Sequence, residues 1–337
     1  MRRIVASMVV RLSGIALLSS AADWPQWRGP DRSEVSQETG LLKQWPEGGP
    51  KQVWLYREAG IGYAGFAVAA GVLYTSGARG DQEYAVALNA ETGVEVWATE
   101  LGPRLKNNWG DGPRGTPTVS AGKVYVMSGQ GFLVALEAAS GKLLWKTAMT
   151  DLGGKVPQWG YTESVLVDGN RVICTPGGAQ GAVAALDKNT GKVIWQSKGF
   201  SELAQYSSPI LIEHNGVRQV VVLTMSKLAG VAVESGELLW QSSWPGKTAV
   251  IPTPIFSDGC VFITSGYGAG CKLVRLGPEQ AVSDVYANGN LGNHHGGVLL
   301  LDDHLYGYAD RAGWTCLNFK TGEVVWQQKE ALGKGAV

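Results

Sequence analysis

The sequence is short of the features that would place it at once. After its first two dozen residues no apolar run approaches the ~20 residues that cross a bilayer as a helix, so no transmembrane segment is expected in the body of the chain. Charge is scarce, 17% of 337 residues, and balanced at 29 basic against 29 acidic. A field that would gather nucleic acid or an anionic membrane surface is therefore missing. The four cysteines, Cys174, Cys260, Cys271 and Cys316, form no CxxC pair and no metal-ligand spacing. Cys260 and Cys271 flank a hairpin centred near Tyr267, which places Cys260 opposite about residue 275 and out of register for a bridge. Buried, unpaired thiols are expected. Gly266-Tyr-Gly-Ala-Gly270 is a hairpin turn and not a phosphate cradle, since no helix follows. His294-His295 lacks an identifiable third ligand and is read as a loop feature. No Ser/His/Asp or paired-carboxylate constellation stands out, so no catalytic residue is assigned.

Glycine and tryptophan, by contrast, are plentiful, at 47 and 13 residues, and the 45% apolar content supports a sizeable core. The tryptophans recur inside one phrase. ALNAETGVEVW (Ala87 to Trp97), ALEAASGKLLW (Ala135 to Trp145), ALDKNTGKVIW (Ala185 to Trp195) and CLNFKTGEVVW (Cys316 to Trp326) each read as strand, tight turn and strand. The Asp, Glu or Asn before the turn can accept backbone amides, and Gly supplies the left-handed residue that a bulged hairpin needs. A further hairpin precedes each phrase, as in TPTVSAGKVYVMSG (Thr116 to Gly129) and TPIFSDGCVFITSG (Thr253 to Gly266).

Units of four short strands with a period of ~40–50 residues predict a β-propeller. Tryptophans stand at 54, 97, 145, 195, 240 and 326; the missing member falls in LVRLGPEQAVSDVYAN, where a Val or Tyr substitutes and the Thr-Gly turn is lost. Six complete blades are expected at about 64–99, 115–147, 161–197, 206–242, 251–288 and 294–328, within a propeller domain spanning 51–337. The repeated Trp is read as packing between blades. The Trp54 strand is left over, an N-terminal outer strand whose blade-mates would come from beyond Val337, so the C-terminus is expected to be short. The opening MRRIVASMVVRLSGIALLSSAAD has the layout of a secretory signal over residues 1–22, followed by an extended segment over 23–50. An exported protein, periplasmic or extracellular, is expected. No cysteine stands near Ala22 to carry a lipid anchor.

The repeated ALDxxTGKxxW phrase, with its strand pair before it, resembles the pyrroloquinoline-quinone-like propeller superfamily, which includes quinoprotein alcohol dehydrogenases and the periplasmic lipoprotein that assists outer-membrane protein assembly. DWPQWRGPDRSE resembles the opening of secreted members common in planctomycete-type bacteria. The resemblance covers about residues 23–328 and implies an eight-bladed parent fold. In enzyme members it implies pyrroloquinoline quinone held with calcium, an adjacent Cys-Cys pair and, in some, a CxxCH haem attachment. The sequence has neither cysteine motif.

The richest loops precede the inner strands, at 104–115, 153–164, 199–208, 244–253 and 288–297, and loops on a rigid scaffold are where binding groups collect. Aligning them on the strand that follows puts Tyr63, Arg114, Tyr161, Tyr206, Ile251 and His295 at the mouth of a central funnel, with Trp109, Trp159 and Glu163 beside them. Such a funnel can stack a planar or sugar-like ligand and pair with a carboxylate. The expected function is a non-catalytic binding or scaffold module for a protein or small molecule, without a cofactor; the alternative is a quinone-dependent alcohol or sugar dehydrogenase.

Overall fold

The computed structural model describes residues 22–329, so the expected signal segment lies, apart from Ala22, outside the described residues. Alternating sequence and glycine-rich turns produce six four-stranded antiparallel sheets with strands in chain order. Their first strands are Ala67–Ala69, Thr118–Ser120, Leu166–Asp168, Ile210–His214, Ile255–Ser257 and Val298–Leu301, and we number blades 1 to 6 in that order. The last strands are Glu95–Pro103, Leu143–Ala148, Val193–Gln196, Leu238–Ser243, Val282–Asn288 and Val324–Gln328. Five apolar clusters fill the spaces between consecutive blades, each drawing buried side chains from two neighbouring sheets.

The recurring tryptophan makes the same contact again and again. It sits opposite a small residue of the third strand (Ala87, Ala135, Ala185 or Gly230), and a register shift follows immediately. From there its indole lies on the turn glycine of the next blade. Gly93, Gly141, Gly191 and Gly236 all have φ near +70°, and a Cβ on any of them would stand 2.5–2.7 Å from Trp54, Trp97, Trp145 or Trp195 respectively. These glycines are needed twice, for a backbone conformation that other residues resist and for the room the ring occupies. Each indole N–H then donates to a carbonyl at the start of the same turn: Trp54 to Ala90 (3.0 Å), Trp97 to Ala138 (2.9 Å), Trp145 to Lys188 (3.0 Å) and Trp195 to Val233 (2.9 Å). The turn's own Asx residue accepts from the two amides beyond it, as Asp187 Oδ1 does from Asn189 (3.0 Å) and Thr190 (2.9 Å).

Blade 5 is the exception that the sequence marks. Its Thr-Gly turn is gone, and Trp240 donates instead to Gln219 within its own sheet. Tyr286 takes the tryptophan's place, its ring on Gly322 and its hydroxyl donating to Phe319 O at 2.9 Å.

The ring has one seam. Among the described residues nothing packs on the trailing side of blade 6: Trp326 is 42% exposed, against 8–9% for Trp97, Trp145 and Trp195. On the other side of the seam Phe66 is 57% exposed, whereas its counterparts Pro117, Val165, Pro209, Pro254 and Val298 are buried. The Trp54 segment docks on blade 1, fastened by Tyr56 and Arg79 to Glu95, and its continuation makes one isolated bridge, Ile61 with Ala78. The four cysteines are buried and free, and Cys260 pairs in register with Arg275.

The hub is filled by the DWPQWRGPDR segment, whose destination the sequence did not reveal. It enters beside the first hairpin of blade 1, where Asp23 accepts from Ala70 N (3.0 Å), and Trp24 exchanges backbone hydrogen bonds with Val68. Pro25 O accepts from Val119 N of blade 2 (2.7 Å). Trp27 Nε1 donates to Thr253 beside blade 5 (3.0 Å), and Arg28 donates to Val298 O of blade 6 (2.6 Å). Arg32 donates to Ser164 O (2.9 Å) and Val165 O (2.6 Å) next to blade 3 and to Pro209 O (2.8 Å) next to blade 4. One short segment thus bonds to the inner strands of blades 1, 2 and 6 and to the residues that lead into those of blades 3, 4 and 5. The two arginines are almost wholly buried, which their carbonyl partners make tolerable.

If the indole contact holds the blades together, Trp195→Ala lowers stability by about 3–5 kcal/mol, as for other large buried aromatics, while Trp326→Ala at the seam costs within about 1 kcal/mol. Urea midpoints of the two variants check this; equal losses would contradict it.

Candidate functional site

Each inner strand emerges from a loop and points side chains at the axis at every second residue. The upper tier is Tyr63, Arg114, Thr162, Tyr206, Ile251 and His295; the lower is Gly65, Thr116, Ser164, Ser208, Thr253 and Gly297. The lower tier is small because adjacent strands nearly touch there. Thr116 N donates to Ser164 Oγ (3.0 Å) and Ser164 N to Ser208 Oγ (2.9 Å), while Ser207 Oγ reaches Pro252 O (2.9 Å). Above this throat opens a cavity of about 630 Å³ with Trp27 among its lining residues.

Its walls are aromatic. Trp159 and Tyr206 meet at 5.5 Å with a 58° tilt, Tyr267 stands edge-on to His294 at 4.3 Å, and His294 stacks on His295 at 4.0 Å. His294 Nε2 lies 2.7 Å from the Tyr267 hydroxyl, and Nδ1 lies 3.7 Å from Asp310. Trp109 is 75% exposed at the rim. Arg114 is the one fixed cation in the lining. Its Nε donates to Trp159 O (2.8 Å), its Nη2 to Gly110 O (2.7 Å), and its guanidinium covers the Tyr63 ring at 4.9 Å. Burial pulls its pKa down, and no ion pair among the described residues engages it.

Of the expected funnel residues, Tyr63, Trp109, Arg114, Trp159, Tyr206 and His295 line the cavity, as does Ile251. Tyr161 and Glu163 do not. The phase of the strand gives the channel to Thr162 and Ser164, and turns their neighbours into the space between blades. Tyr161 is buried there, donating to Pro176 O at 2.8 Å. Glu163 accepts from Thr175 N (2.8 Å) and Thr175 Oγ1. Burial pushes the Glu163 carboxyl up to about 7, with the Thr175 hydrogen bonds and the Arg32 charge opposing.

Other residues were missed. Trp27 sits in a segment read only as extended; Tyr267 belongs to a hairpin read only as a turn, and His294 to a pair read only as a loop. Glu83 carries no motif at all. Buried completely, it accepts from Leu105 N (2.9 Å) and Gly129 N (2.8 Å), and so pins the loop that presents Trp109 and Arg114.

The quinone and calcium of the enzyme branch can be tested against these residues. No group of three or more His, Cys, Asp or Glu among the described residues could hold a metal ion, and the cysteines lie apart in blades 3, 5 and 6. The cavity lining carries no carboxylate and no carboxamide side chain, and so does not fit a calcium-held quinone.

Radial four-stranded blades joined by tryptophan-on-turn contacts around a loop-built funnel define a β-propeller of the pyrroloquinoline-quinone-like repeat class. Residues 81–328 match the family model described as "Outer membrane protein assembly factor BamB", and the chain belongs to that family. It is similar to the outer membrane protein assembly factor BamB of Shewanella oneidensis, 24% identical over 259 residues, covering 72% of this chain and 63% of that one. It is also similar to the alcohol dehydrogenase (quinone) dehydrogenase subunit of Gluconobacter oxydans, 36% identical over 127 residues, covering 33% of this chain and 16% of that one. The chain thus spans less than two thirds of either relative. Among solved structures, BamB from Moraxella catarrhalis superposes with a TM-score of 0.54 at 17% identity, over 79% of this chain and 72% of that one. The quinohemoprotein alcohol dehydrogenase ADHIIG from Pseudomonas putida HK5 gives 0.54 at 15% identity, over 81% and 67%. These structural likenesses establish the fold.

The raised pKa of Glu163 means that the folded chain keeps a proton the unfolded chain has released. The stability it contributes is full below the ordinary value of 4.5 and declines as pH climbs to about 7. Glu163→Gln, which retains an acceptor for Thr175 N, gains on the wild type over that interval by up to ~3 kcal/mol. Urea midpoints from pH 4 to 8 measure it; a constant difference would refute the assignment.

Proposed function

We propose that this chain is an exported, non-catalytic propeller acting as a binding or scaffold module, with a ligand in the central funnel and a protein partner over the loop-rich rim. One observation carries the reading. All six blades contribute to a single cavity of about 630 Å³ whose lining includes six Trp and Tyr rings, with a fixed arginine and a rim bearing exposed Trp109 and Tyr63. Exposed aromatics around a concave centre are the usual anchors of recognition. The relatives named as outer membrane assembly factors support a protein partner in the periplasm or outside the cell. The signal-like start of the sequence supports export, and no described helix is long and apolar enough to cross a membrane. Nothing in the charge balance favours nucleic acid.

A second reading, a quinone-dependent alcohol or sugar dehydrogenase using the same funnel, draws on the local likeness to the Gluconobacter subunit. The absence of a suitable metal-ligand group among the described residues weighs against it.

Two measurements separate them. A photo-crosslinking residue at Trp109 is expected to trap one defined partner in native envelope extracts, while the same residue at Glu91, in a turn on the opposite face, traps none. Protein mixed with pyrroloquinoline quinone and calcium is expected to emerge from gel filtration without quinone absorbance and without alcohol-dependent dye reduction. Dye reduction would overturn the binding reading in favour of the enzyme.

A further inference from the structure

Resting on the funnel as a binding site, we infer that its ligand is a hexuronate: a saturated sugar ring carrying one carboxylate, either free or as the terminal unit of an acidic glycan. The charge of the funnel selects an anion. Arg114 is the only fixed charge among the lining residues; the carboxyl groups of Glu83 and Asp111 act on it from outside the lining, and neither closes an ion pair with it. Its Nε and Nη2 are tethered to backbone carbonyls and its face rests on Tyr63, whereas Nη1 makes no hydrogen bond among the described residues. A tethered guanidinium with donors to spare selects one oxyanion at little entropic cost.

The walls also have a shape that a flat ring does not match. A flat aromatic acid needs two parallel rings to lie between. Here Trp159 and Tyr206 are inclined at 58° and Tyr267 and His294 at 63°, while the one parallel pair, His294 and His295, is already closed on itself at 4.0 Å. Tilted aromatic faces suit the C–H surfaces of a puckered ring instead. The base of the funnel is polar. Hydroxyls ring the throat at Thr116, Ser164 and Ser208, with those of Thr162, which donates to Tyr206 O (2.9 Å), and Thr248 elsewhere in the lining. Ser164 and Ser208 accept from backbone amides, and their own O–H groups remain to meet sugar hydroxyls. A volume of about 630 Å³ falls within the range of small-molecule clefts.

Calorimetric titration of the purified full chain tests this with D-galacturonate, digalacturonate, D-galactose and benzoate. Galacturonate is expected to bind one per chain and at least tenfold more tightly than galactose or benzoate. Arg114→Gln is expected to remove that advantage. Because Arg114 also holds its loop, Trp109→Ala at the exposed rim serves as a second variant, with an expected severalfold loss at unchanged melting temperature. Digalacturonate binding tighter than the monomer identifies a glycan end as the source, and equal binding identifies the free sugar. Galactose or benzoate binding as tightly as galacturonate, an affinity unmoved in Arg114→Gln, or no binding of any of the four overturns the hexuronate. The crosslink from position 109 reports separately on the protein-binding reading, so the two failures are distinguishable.

Discussion

The contact on which the molecule depends is an indole laid on a turn glycine of the neighbouring sheet. It solves three problems together. A four-stranded sheet alone leaves one face poorly buried, and a ring as large as Trp195 supplies the missing apolar area. Its N–H would be costly to bury unpaired, and the first carbonyl of the same turn receives it. The angle between sheets would otherwise be loose, and ring, turn and hydrogen bond together fix it. Blade 5 shows what happens when one part is lost. Without a Thr-Gly turn to receive it, Trp240 satisfies its N–H inside its own sheet, and Tyr286 carries the next contact with a hydroxyl in place of an indole.

A second set of bonds works from the inside. Arg28 and Arg32 bring two positive charges into a channel where backbone carbonyls receive them. Burial works against both charges, opposed by Glu34 for Arg28 and by Glu163 for Arg32. The same hub segment spans the seam: Trp24 holds blade 1 through Val68, and Arg28 holds blade 6 through Val298. The two blades that share no apolar cluster therefore share a backbone strap.

The fold was legible because the repeat is local. Alternation, an Asx residue, glycine and tryptophan lie within eleven residues, and each has a direct physical role in the hairpin it builds. The funnel was legible only in part. That loops before inner strands converge follows from blade topology, and it found Arg114, Trp159 and Tyr206. Which of two adjacent residues faces the axis depends on strand phase, and loops of different length hide that phase; Tyr161 was chosen where Thr162 belongs. Glu83 and the hub segment could not be read, since their partners are set by tertiary approach across tens to hundreds of residues. The surplus of aromatics and arginines in DWPQWRGPDR was the one visible sign.

The hub segment also imposes an order on biosynthesis. Residues 23–34 leave the ribosome before any blade exists, yet the carbonyl that receives Arg28 belongs to Val298, 270 positions later. So remote a pairing is slow to find, and the keystone, made first, must wait in an unfinished vault until the sixth sheet arrives.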